Sequence, residues 1–220
     1  SLMRKTQNAV DLLNKAVKME PDNDQLQHSL ALAYMAQDKD DWAIVTMRKA
    51  LTLNPQKDSY YFELGALMEK SGDYKGAIES MRQAIELNPL HSNAHNFLGY
   101  MYALEGYDLD QALEHLKKAL TIQPRNGYFL DSLGWIYFKK GEPKKALTQI
   151  QKALIYTEPD PVLYDHLGDI LFSLGNYDEA SGAWRNSLFL AENPKDDPGG
   201  EMPDPRTLKN KIDKAKRLLQ

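Results

Sequence analysis

The chain has 220 residues, 42% of them hydrophobic, enough to bury a substantial core as one globular domain or as a short array of stacked units. Lys plus Arg number 27 against 31 for Asp plus Glu, a net charge of −4, so electrostatics gives no reason to expect nucleic acid as a partner. The lack of cysteine excludes disulfides, thiolate zinc sites and cysteine nucleophiles; no apolar run approaches the ~18 residues of a membrane span, and no apolar stretch follows Ser1-Leu2-Met3-Arg4-Lys5 as it would in a signal peptide.

Residues 4–21 place Ala9, Leu13 and Ala16 at helical spacing ahead of Pro21 and predict a single helix. From residue 24 the pattern doubles. Leu26 to Gln37 and Trp42 to Leu53 both carry apolar residues at helical spacing, with a short polar break between them. This helix, turn and helix recurs in units 24–57, 58–91, 92–126, 127–160 and 161–194. One alanine recurs at Ala9, Ala43, Ala77, Ala112, Ala146 and Ala180, in steps of 34, 34, 35, 34 and 34. Ala16, Ala50, Ala84, Ala119, Ala153 and Ser187 follow the same steps, as do Ala31, Gly65, Gly99, Gly134 and Gly168, and prolines close the units at Pro55, Pro89, Pro124, Pro159 and Pro194. A fixed period of this length is the signature of a stacked repeat.

Each series has a physical reason. Small residues at the Gly and Ala positions let paired helices approach closely. The breaks contain Gly72, Gly106, Gly141 or Gly175, suited to the left-handed conformation that ends a helix, with Asp38 in that place in the first complete unit. Residues 4–21 supply only the second helix of an earlier unit, so the expectation is a chain that starts part-way through an array.

After Pro194 the run 195–205, rich in Pro, Gly and Asp, predicts a loop. Residues 206–220 then place Leu208, Ile212, Ala215 and Leu219 at helical spacing, opposite a basic face of Arg206, Lys209, Lys211, Lys214, Lys216 and Arg217. The expected role is a capping helix over the last unit, its basic face solvated and partly neutralised by Asp196, Asp197, Glu201 and Asp204; a membrane-surface element is the alternative.

The units resemble the tetratricopeptide repeat, whose pattern is matched by Tyr61, Leu64, Gly65, Met68, Ala77, Met81, Ala84 and Pro89. In another unit it is matched by Leu130, Leu133, Gly134, Tyr137, Ala146, Ile150 and Ala153, with Pro159 one residue late. The resemblance covers residues 4–194. It implies an all-α, right-handed superhelical solenoid of antiparallel helix pairs, a non-enzymatic scaffold that binds a protein or peptide in a groove lined by the first helices. The segments LDSLGWIYFKKG and YDHLGDILFSLG are similar to C-terminal repeats of bacterial members, which points to the periplasm, with the cytoplasm as the alternative.

The groove positions implied by the resemblance fall on Phe62, Asn93, Asn96, Tyr100, Tyr128, Asp131, Trp135, Phe138, Asp165 and Asp169. Tyr100 and Trp135 have the composition of interface anchors; packing against neighbouring helices is the plainer role for such rings. The two asparagines suit a peptide backbone, and the three aspartates suggest basic or amide groups on the ligand. The Lys and Asn clamp of chaperone-binding members is absent, since the equivalent positions carry His28, Phe62, Asn96, Asp131 and Asp165.

No chemistry assembles from the rest. His91 and His95 are four apart, but His91 falls in a turn after Pro89 and no carboxylate set has ligand spacing. His28, His115 and His166 lie at least a repeat apart, with no nucleophile elbow, phosphate loop or carboxylate pair. Neither a cofactor nor a metal is expected. An interaction module is the leading reading; the alternative is a structural segment of a longer array, self-associating through the open helix 4–21, or a regulatory domain of a larger protein.

Overall fold

The computed structural model describes residues 2–104, 108–194 and 202–220, with side chains from Thr6 onward. Among them every regular element is an α-helix. The chain divides into two compact units, Ser1–Met101 and Tyr102–Gln220.

The first unit holds α1 (Leu2–Met19), α2 (Asp24–Met35), α3 (Asp40–Leu53), α4 (Asp58–Lys70), α5 (Tyr74–Leu87) and most of α6 (Ser92–Leu104). Helices α2 and α3, then α4 and α5, pack as pairs, and α3 also packs on α4. The second unit holds the end of α6, α7 (Leu109–Ile122), α8 (Gly127–Lys139), α9 (Pro143–Tyr156), α10 (Pro161–Ser173), α11 (Tyr177–Glu192) and α12 (Pro205–Leu218). Its pairs are α8 with α9 and α10 with α11; α10 also meets α8 and α9, and α12 lies on α11. The extra residue expected between Gly106 and Ala112, and most of the loop 195–205, lie outside the described residues.

Short polar side chains start the helices. Asn23, Asp73, Asp108, Asn126, Asp160 and Asp204 each accept at least one of the amide N–H groups that the first turn leaves unpaired. The turns inside the pairs all end the same way. Amides of Lys39, Asp73, Glu142 and Asn176 reach back five residues to the carbonyls of Tyr34, Met68, Tyr137 and Leu171, which needs a left-handed residue one position earlier. Gly72, Gly141 and Gly175 supply it, and Asp38 adopts the same conformation with φ 53°. Its departure from the repeat pattern is therefore silent in the backbone, because Asp tolerates this region better than most side chains do.

The small-residue series are the contact lines of the pairs. Ala43, Ala77, Ala112, Ala146 and Ala180 are fully buried, as are Ala50, Ala84, Ala119 and Ala153. Ser187 replaces the last alanine without leaving an orphan hydroxyl, since its Oγ donates to the Pro161 carbonyl at 2.7 Å. Met47, Met81, Leu116, Ile150 and Trp184 fill the large core position of successive second helices. The repeated glycine lies directly beneath that side chain: a Cβ on Gly65 would come within 2.7 Å of Met81 Cε, one on Gly134 within 2.8 Å of Ile150 Cδ1, and one on Gly168 would overlap the Trp184 indole. On α1 the pattern loosens. Ala9 and Ala16 are only half-buried, while Leu12 and Met19 are 69% and 84% exposed.

The apolar stripe of α12, Leu208, Ile212 and Ala215, is buried with Leu171, Ala180, Ala183 and Trp184. It packs on α11. Of its basic face, Arg206, Lys209, Lys214, Lys216 and Arg217 are exposed, and Lys211 is half-buried. Lys209 pairs with Glu192 at 2.8 Å, Lys211 with Asp165 and Asp169 at 2.7 Å each, and Lys214 lies 5.0 Å over the Phe172 ring. Asp204 of the preceding segment is occupied in capping α12. No helix among the described residues is long and apolar enough to cross a membrane.

The contacts under the glycines rank two substitutions. Gly168→Ala forces a methyl against a rigid indole and should cost about 3 kcal/mol, whereas Gly65→Ala meets the flexible end of Met81 and should cost about 1 kcal/mol. Chemical denaturation of the two variants checks the order. Gly182, inside α11 with no atom within 4 Å of an added Cβ, should instead gain about 0.5 kcal/mol as Ala.

Candidate functional site

The residues expected to line a groove divide between the two units. In the first, Phe62 is half-buried against the His91 ring at 4.9 Å, Asn93 is exposed, and Tyr100 is half-buried. Asn96 is half-buried, its Oδ1 shut away from solvent without a hydrogen-bond partner. His91 and His95 serve their own turn: His91 Nδ1 accepts the Ala94 amide, and His95 contacts the Pro89 carbonyl at 3.1 Å.

In the second unit the expected residues converge. Tyr128, Asp131, Trp135 and Phe138 lie on α8, Asp165 and Asp169 on α10. His166 of α10 stacks on the Trp135 indole, ring centroids 4.1 Å apart and planes 18° from parallel, and its Nδ1 is 2.9 Å from Asp131 Oδ1. Trp135 also touches Phe138 at 5.2 Å, and the Lys139 ammonium lies 5.0 Å over its ring. Trp135 is thus a half-buried ring held by its neighbours, while Tyr128 is 61% exposed at the start of the helix.

The aspartates are matched inside the fold. Asp131 is taken by His166, and Asp165 and Asp169 share Lys211 from α12. Asp169 Oδ1 also accepts from Trp184 Nε1 at 3.2 Å. The sequence suggested basic or amide groups of a ligand beside these carboxylates; the structure places the chain's own lysine and histidine there.

Burial disfavours charge on His166, but the charge and hydrogen bond of Asp131 together with the charges of Asp165 and Asp169 outweigh it, so the His166 pKa stands above its ordinary 6.5. Burial raises the Asp169 carboxyl against the opposing pull of Lys211. Burial also acts against the Lys211 ammonium, and its hydrogen bonds to Asp165 and Asp169 overcome that and raise it.

Two residues that organise this face, His166 and Lys211, were legible only as an isolated histidine and as one of six basic residues on a helix. A positional signal existed. Asp131 and His166 are 35 residues apart, as are His28 and Glu63, whose side chains meet at 2.5 Å in the first unit. In each case a first-helix residue is met by the residue one place further along in the next unit. Lys211 makes a related contact from α12, meeting Asp165 and Asp169 of α10.

With this geometry in view, comparison with known proteins is direct. Models of the tetratricopeptide repeat match residues 24–57 and 62–126. The chain contains tetratricopeptide repeats. A repeat-containing protein of Methanocaldococcus jannaschii is 37% identical over 91 residues, covering 41% of this chain and 16% of that one. The BBSome complex member BBS4 of Bos taurus is 35% identical over 98 residues, covering 41% of this chain and 18% of the relative. The chain thus corresponds to less than a fifth of either relative's length. Their sources, an archaeon and cattle, do not narrow the origin of this protein to bacteria. The crystal structure of the APC/C hetero-tetramer of Cut9 and Hcn1 shares the fold, with a TM-score of 0.81 and 18% identity, over 100% of this chain and 41% of that one.

Because the folded-state pKa of His166 is raised, its contribution to stability is complete below about 6.5, the value for the unfolded chain. It is lost as pH rises through the folded value. Urea midpoints between pH 5.5 and 9 should therefore fall with rising pH, and Asp131→Asn should flatten that slope. Lys211→Ala, which leaves two carboxylates facing each other largely buried, should cost about 2 kcal/mol.

Proposed function

We propose that this chain is a protein-interaction scaffold whose contact face in the second unit is the α8–α10 surface centred on Trp135. Tetratricopeptide repeats are in general non-enzymatic scaffolds for protein partners, and membership of a multi-protein complex by BBS4 fits that use. The observation that carries the reading is the placement of Tyr128, Trp135 and Phe138 along one helix, with Trp135 fixed by His166 and Asp131. Aromatic rings held in place at low entropic cost are the residue type that dominates binding energy at interfaces. An extended segment of a partner would lay an apolar or aromatic side chain against these rings.

Self-assembly is the second reading, and the exposed Leu12 and Met19 of α1 favour it. These side chains offer a helix face left exposed by the described residues. Light scattering across a concentration series separates the readings, because a scaffold for other proteins stays at one mass.

A peptide-array screen tests the contact face. Trp135→Ala should lower binding of array hits by more than about tenfold. Tyr128→Ala, an exposed change that leaves the core intact, should lower it by about threefold or more. Trp42→Ala, which removes an exposed indole from the other unit, should leave those hits unchanged. Retained binding in both α8 variants would contradict the proposal.

A further inference from the structure

The α8–α10 face keeps two hydrogen-bond donors that no acceptor among the described residues takes up. His166 spends Nδ1 on Asp131, and no hydrogen bond joins its Nε2 to the described residues. Lys139 is exposed and touches the Trp135 ring, but no carboxylate among the described residues lies within ion-pair distance of its ammonium. The acceptors of the same face are committed, Asp131 to His166 and Asp165 with Asp169 to Lys211. A basic side chain arriving here would have to displace a resident cation. A carboxylate would find two cationic N–H donors in contact with one indole.

We propose that the Trp135 face selects an acidic partner segment. An Asp or Glu side chain accepts from His166 Nε2–H and Lys139 Nζ, and a neighbouring apolar or aromatic side chain rests on Trp135. This rests on the reading of that face as the contact surface, and adds the chemistry of what it contacts. Charge-assisted hydrogen bonds of this kind are roughly twice as strong as neutral ones, and a partly desolvated site strengthens them further.

Protonation makes the selection dependent on pH. The Asp131 carboxylate fixes a proton on Nδ1, so the proton that His166 loses on titration is the one on Nε2. The ring then presents a lone pair where it had presented a donor, and a carboxylate is repelled. Asp131 on α8 and Asp165 and Asp169 on α10 favour the charged ring; Lys139 on α8 and Lys211 on α12 oppose it, and the balance lies with the charged form.

The test uses the full chain and an array of peptides with a Phe or Leu anchor, synthesised in matched sets with Glu, Gln or Lys beside the anchor. At pH 6 the Glu members should bind at least about tenfold more tightly than their Gln and Lys counterparts. Lys139→Gln, an exposed change that leaves the fold alone, should remove most of that preference, and His166→Gln the rest. Raising the pH to 9 should weaken the Glu members selectively. Binding that depends on Trp135 but ignores the charge beside the anchor, or prefers Lys, would overturn the acidic partner and leave the contact face standing. Binding insensitive to Trp135→Ala, or no binding by any peptide, would overturn both.

Discussion

The contact between Asp131 and His166 decides the character of the second unit's surface. It ties α8 to α10 at 2.9 Å and sets the imidazole parallel to Trp135. It also holds the proton on the side of the ring that faces the carboxylate. Without it, α8, α9 and α10 would still pack through Leu130, Ile150, Leu163 and Ile170, but His166 would lose its largest source of positive charge stabilisation and the hydrogen bond that orients it against Trp135. A packed array becomes a recognition surface through such additions to its apolar core, because the core alone presents nothing specific to a partner.

The same kind of contact recurs with different chemistry. In the first unit, His28 is met by Glu63 and stacks on Tyr60 at 4.5 Å, so the histidine and the carboxylate exchange places relative to Asp131 and His166. At the C-terminal end Lys211 plays the part of the incoming residue and closes over two aspartates. Helix α12 follows a break in the repeat pattern and packs on α11. Its apolar stripe fits the face that any next unit would cover, and its lysine answers the charge left open on α10. The capping helix is thus matched to its neighbour in polarity as well as in shape.

Most of the fold was legible because close packing writes itself into residue size. From Ala43 onward the alanines at 34- and 35-residue steps are buried, and the glycines lie under Met81, Ile150 and Trp184; such positions tolerate few alternatives, so the period shows through. The left-handed turn residues were legible for a similar steric reason, down to Asp38 in place of a glycine. Of the second unit's face, Asp131, Trp135, Asp165 and Asp169 were found by their place in the repeat. Their partners were not, since pairing across an array depends on an offset of one place between successive units, and one histidine or lysine carries no periodic signal. The charge of those residues was therefore legible, whereas their partners within the fold were not. An aspartate's charge is visible in a sequence, whereas its neutralisation by a residue 35 or 46 places away is visible only in space.

The most direct measurement is the proton-coupled nitrogen spectrum of the His166 ring in the full chain, followed from pH 5 to 10. The account predicts a pKa above 6.5, a ring that keeps its Nδ1 proton when neutral, and a downward shift of that pKa on Asp131→Asn. A pKa at or below 6.5, or a value unmoved by that substitution, would contradict it.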